Sequence, residues 1–116
     1  MPVKCWKIDT DPLKNQVKIR YWGYTPTDAL AASIDELRAA LPKTPSVLVI
    51  DVRELEGHNP EGRPLWKVFL EQHRSVLSTV YVVSPLPMAA TRMVALVIGL
   101  AVGVRLRLVD SLKDIP

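Results

Sequence analysis

The chain has 116 residues, 48% of them hydrophobic and 23% charged; it reads as one small domain spanning 1–116 with the composition of an ordinary soluble globular protein and little room for a second domain. The formal net charge is +3, a mild excess that suits solubility. Lys and Arg are scattered, with no basic run interleaved with aromatics, which argues against a nucleic-acid partner.

Val3 to Ile8 alternates loosely and predicts a first strand. It contains Cys5, the lone cysteine, so the chain can build neither an internal disulfide nor a thiolate metal site, as suits a reducing cytoplasm. Lys4, Lys7 and Asp9 with no apolar run behind them do not read as a signal peptide. Asp9 to Asn15, with Pro12, predicts a turn. Gln16 to Trp22 alternates cleanly, Val17, Ile19 and Tyr21 on one face and Lys18 and Arg20 on the other, giving a half-exposed strand hairpinned to the first.

Thr25 is placed as the N-cap of a helix, with Pro26 in its first position and Asp28 completing an approximate capping box. Leu30, Ile34, Leu37 and Leu41 form one apolar stripe, and Pro42 and Pro45 stop it. Ser46 to Asp51 is uniformly apolar up to its aspartate and predicts a central, buried strand. A polar loop from Val52 to Arg63 is expected next. A second helix over about Pro64–Leu77 buries Leu65, Trp66, Phe69 and Leu77, and Thr79–Ser84 predicts another buried strand. A third helix follows from the segment that begins at Pro85 and ends near Gly103. Its apolar run, Met93 to Val104, is far short of the roughly 20 residues that span a bilayer. Val104–Val109 is the last strand, with Arg105 and Arg107 outward.

The order is strand, strand, helix, strand, helix, strand, helix, strand. It predicts an α/β fold: a mostly parallel mixed sheet of about five strands, an antiparallel N-terminal hairpin and three helices. This order, the strand Leu48–Val52 and the polar loop closing on Gly62 before a helix resemble the STAS domain, the family of bacterial anti-sigma-factor antagonists with an antagonist-like branch described as lipid-binding. In that family a buried strand ends in aspartate, and an Asp-Ser-Ser-Gly motif opens the next helix, with a serine that the partner kinase phosphorylates. By resemblance Asp51 matches the strand-end aspartate, and Asn59, Pro60, Glu61 and Gly62 fall on the motif. The glycine is kept and both hydroxyls are gone, so the serine switch is not expected to operate. Glu61 stands at the phosphoserine position, but its single negative charge is a weak imitation of phosphate, and a solvated loop acid is the better reading.

Other chemistries are weighed on the same residues. Carboxylates and His58 are metal-ligand types, yet their spacing fits no ligand motif, and a hydrated loop whose acids offset Arg53 and Arg63 is preferred. Asp51, His58 and Ser84 form the weakest alternative, a hydrolase-like site at the carboxyl edge of the sheet. Gly57 and Gly62 lack the Lys-Ser or Lys-Thr of a phosphate loop. His73, in a charged stretch, is read as a surface residue. The outward Lys18, Arg20, Arg105 and Arg107 are read first as guards against strand pairing with other chains. The third helix has no polar residue between Met93 and Gly103. Either it is fully buried, or Met88, Met93, Val97 and Leu100 meet a protein, a second copy or a lipid.

The expectation is therefore a bacterial, cytoplasmic, non-enzymatic signalling or scaffold module without cofactors. Its contact surface for a protein partner is Asp51, Glu54, Glu56, His58, Asn59, Glu61, Gly62, Arg63 and Trp66, with homodimer formation through the third helix. The main alternative is a carrier of a small hydrophobic ligand or lipid.

Overall fold

A computed structural model describes residues 4–58, 63–84 and 103–115. The described elements are strands β1 (Trp6–Asp11) and β2 (Gln16–Thr25), helix α1 (Thr27–Ala40), strand β3 (Ser46–His58), helix α2 (Arg63–His73), and strands β4 (Leu77–Val83) and β5 (Leu106–Val109). They form one five-stranded sheet in the order β1-β2-β3-β4-β5. β1 and β2 are antiparallel, and the remaining neighbours are parallel. This is the expected mixed α/β sheet with β3 at its centre. Two α-helices stand among the described residues; the third expected helix falls in 85–102, outside them.

The hairpin turns through a 3-10 helix, Pro12–Lys14, closed by Asn15 at φ 48°. Asparagine tolerates this left-handed backbone better than most residues. The period-two pattern of β2 then sorts its side chains. Val17, Ile19 and Tyr21 join Leu48 and Ile50 of β3 and Val80 of β4 in the core beneath the helices. From the helices come Leu30, Ile34, Leu37, Phe69 and Leu70. Val49, Asp51 and Val83 are also buried but lie on the opposite face of the sheet, in register with Lys18, Arg20, Tyr81 and Val109.

Three local expectations are corrected. Thr25 does not cap α1; it is the last residue of β2, buried, with its hydroxyl 3.6 Å from Cys5 Sγ. Pro26 takes the cap position without a side-chain hydrogen bond, and Asp28 Oδ1 accepts from the Ala29 amide instead. Leu77 is buried as expected, but as the first residue of β4, because α2 already ends at His73. The third correction concerns the segment after Asp51, which continues as strand.

Candidate functional site

β3 runs for 13 residues, to His58, and β2 for 10, to Thr25. β1 accompanies β2 only as far as Tyr21, and β4 accompanies β3 only as far as Asp51. Beyond those points, apart from the Trp22 amide donating to Cys5 O at 3.0 Å, β2 and β3 pair only with each other among the described residues. The expected loop 52–63 is therefore the far half of a two-stranded parallel ribbon up to His58.

That ribbon is irregular for a definite reason. Arg20 pairs with Asp51 and Trp22 with Glu54; Gly23 pairs with Leu55 and Tyr24 with Gly57. β3 thus carries an extra residue at each of two register shifts. A bulge leaves a residue without a ladder partner and turns the following side chains. Val52 and Leu55, three positions apart, both pack against the core. Gly23 sits at the second shift with φ +67°, which its missing Cβ permits.

Asp51 secures the first shift. Its residue is 1% exposed. Its carboxylate accepts from the Arg53 amide at 3.1 Å, from Arg53 Nε at 3.0 Å and from an Arg53 terminal nitrogen at 2.8 Å. The guanidinium thus grips both oxygens while its other side meets water. Burial alone pushes the Asp51 carboxyl up. The hydrogen bonds from Arg53, with the charges of Arg53 and Lys18, outweigh burial and hold the group below the usual carboxylate range. Hydrogen bonding to Asp51 in turn holds the Arg53 guanidinium more firmly protonated. A buried carboxylate satisfied this way fixes backbone shape.

The exposed part of the site lies farther along. Glu54 and Glu56 are exposed. Glu54 lies 3.9 Å from the Arg20 guanidinium, which also stacks over Trp22 at 5.4 Å. Tyr24 is 58% exposed, an unusual position for a large aromatic ring. Trp66, in the first turns of α2, is half-buried, edge-on to Tyr21 at 6.3 Å and to Phe69 at 5.7 Å. Arg63 is the first residue of α2. Asn59, Glu61 and Gly62 lie outside the described residues, as do Met88, Met93, Val97 and Leu100. Sequence reasoning missed Arg53 as the clamp and Trp22 and Tyr24 as surface aromatics. The signal was the alternation of β2 continuing past Gly23.

The alternative triad is not assembled. Asp51 lies within β3, in register with Val83, the last residue of β4; Ser84 follows that strand, and its amide donates to Val109 O. His58 is seven residues of strand beyond Asp51, roughly 20 Å away at the usual rise. Asp51 is also committed to Arg53. His73 is half-buried, stacked on Phe69 at 4.5 Å, with Nδ1 2.9 Å from the Phe69 carbonyl. Among the described residues no three His, Cys, Asp or Glu side chains gather as metal ligands do, and no helix is long and apolar enough to cross a membrane.

No family model and no curated protein matches the sequence. Solved structures do match. One is an uncharacterized protein from the DUF3478 family with a SpoIIAA-like fold, from Shewanella loihica PV-4. It aligns with TM-score 0.74 and 15% identity over 98% of this chain and 93% of that one. Another is the anti-sigma factor antagonist SpoIIAA in its unphosphorylated form, with TM-score 0.55 and 15% identity over 94% and 91% of the two chains. Identity this low carries the fold alone. The chain has the SpoIIAA-like fold, as its resemblance to STAS domains implied.

Proposed function

We propose that this chain is a non-enzymatic binding module that docks a protein partner on the far half of the β2–β3 ribbon and the adjoining start of α2. The observation that carries this reading is the surface of that ribbon. Tyr24 is 58% exposed beside a mixed-charge surface of Arg20, Glu54 and Glu56. Exposed aromatics beside charges that fix register are what protein interfaces draw on. The Asp51–Arg53 clamp supports the reading by holding the bulged strand in one shape, which lowers the ordering cost of binding.

The solved relative SpoIIAA is an anti-sigma factor antagonist described in an unphosphorylated form. The present chain works without that kind of switch at the matching place, since no Ser, Thr or Tyr occurs between Gly57 and Trp66. Recognition here rests on shape and charge. Self-association through the apolar segment Met93–Val104 is a competing route, carried by sequence alone.

A photo-reactive phenylalanine analogue in place of Tyr24 tests the reading. On irradiation in native lysate it captures a defined protein that the same group at exposed Lys43 does not. Equal capture from both positions contradicts the proposal.

A further inference from the structure

We infer that the opposite end of the sheet, around Leu13, is a two-fold contact between two copies of this chain. Leu13 is 98% exposed. It is not a floppy tail residue: it sits in the middle of the Pro12–Lys14 turn, between a proline ring and the left-handed Asn15, whose amide donates to Pro12 O at 3.3 Å. The backbone presents an apolar side chain to water in a set position; a lone exposed leucine is ordinary, and what distinguishes this one is the recess beside it.

Leu13 stands at the rim of a cavity of about 490 Å³. The cavity lies where the chain turns back after β5, so that Leu112 and Ile115 line it together with Val49 of β3. These three residues give the recess an apolar patch among polar and charged walls. One surface thus carries a protruding apolar side chain and, next to it, a recess with an apolar patch that can receive it. A two-fold dimer requires a patch complementary to itself. Leu13 of each copy enters the recess of the other, and both are satisfied by one rotation.

Charge identifies the occupant as a second copy. The rim carries Asp9 and Asp11 from the end of β1, and Lys14 and Lys18 from the turn and β2. The signs are balanced, and Asp11, Lys14 and Lys18 form no ion pair among the described residues. A patch of one sign would repel its own image. A balanced patch with acids on one strand and lysines on its neighbour sets opposite charges facing each other when rotated onto itself. The patch is small, so the dimer is weak and exchanges readily.

Sedimentation of the full chain from low micromolar to millimolar concentration tests this. Wild type is expected to show a reversible monomer–dimer equilibrium, weakened by salt. Leu13→Asp should weaken it at least about tenfold, the scale of losing one buried leucine per copy. Because Leu13 is already exposed, this variant should melt like wild type. Lys14→Glu and Asp11→Lys should each self-associate less than wild type, and mixing the two should restore association. A wild type that stays monomeric throughout, a dimer untouched by Leu13→Asp, or a dimer abolished only by Met93→Asp would overturn the inference. So would native mass spectrometry showing a small molecule retained by a monomer and released by Leu13→Asp.

Discussion

The two halves of the β2–β3 ribbon are made by the same two strands and behave differently. Residues 16–21 and 46–51 lie between β1 and β4, under two helices, and their mutual ladder is unbroken from the Gln16–Val47 pair to the Arg20–Asp51 pair, with a single shift against β4 at the very start of β3. There Val17, Ile19 and Leu48 are 2%, 0% and 0% exposed. Residues 22–25 and 52–58 have only each other as strand neighbours among the described residues, and their ladder shifts register twice. Neighbouring strands enforce period two because a slip would turn every apolar side chain outward. Where neighbours end, the chain can bulge and place charged and aromatic residues on a surface. One half holds the molecule together, and the other is the half on which we propose that a partner docks.

This contrast can be broken in order of effect. The largest loss is expected in the supported half. Phe69 is 0% exposed and meets Trp66, which leads across to Tyr21. Phe69→Ala should cost about 3–5 kcal/mol in urea unfolding. Next comes the junction. Arg53→Ala strands the buried Asp51 carboxylate. Breaking a fully buried pair costs more, but the Arg53 side chain is 38% exposed and water screens it, so about 2 kcal/mol is expected.

Asp51→Asn should cost about 1–2 kcal/mol at neutral pH, and its signature is the pH dependence. The Asp51 carboxyl titrates lower in the folded state than in the unfolded one. Its stabilisation is therefore complete above the unfolded value of about 3.9 and fades as pH falls through the lower folded value. Urea midpoints of wild type and variant should converge at low pH. A gap that persists below that window would mean that the clamp acts through shape alone.

In the far half the expected costs are small. Gly23→Ala puts a Cβ into a left-handed residue, although the nearest outside atom is a comfortable 3.8 Å away. Only backbone strain remains, about 1 kcal/mol. A measured cost near zero would show that the second register shift relaxes. Charge reversal of Glu54 and Glu56 together should change stability by no more than about 0.5 kcal/mol, as for exposed positions elsewhere.

The same division decides what the sequence made legible. Strand order, the hairpin, the α1 stripe of Leu30, Ile34 and Leu37, and the buried centre of β3 follow from regular periods, and packing on both sides kept those periods. The continuation of β3 past Asp51 was not legible as strand. Two bulges reset its alternation, so "VRELEGH" reads as an irregular polar loop. Glycine at position 23 similarly hid the end of β2. Thr25 and Pro26 look like a helix start, but Thr25 is claimed by the strand ladder and by Cys5, and tertiary pairing outweighed local capping. Asp51 was read as a strand end, but the strand runs on to His58, and the carboxylate's partner is Arg53 folding back two residues, which composition does not show.

The most direct test of the account is quantitative binding of the partner captured through position 24 to wild type and to the Glu54→Lys, Glu56→Lys double variant, with thermal unfolding measured alongside. The account predicts that the variant melts as wild type does while its affinity falls by at least about tenfold, the scale of reversing charges at a contact. Unchanged affinity in a variant that folds normally would contradict it.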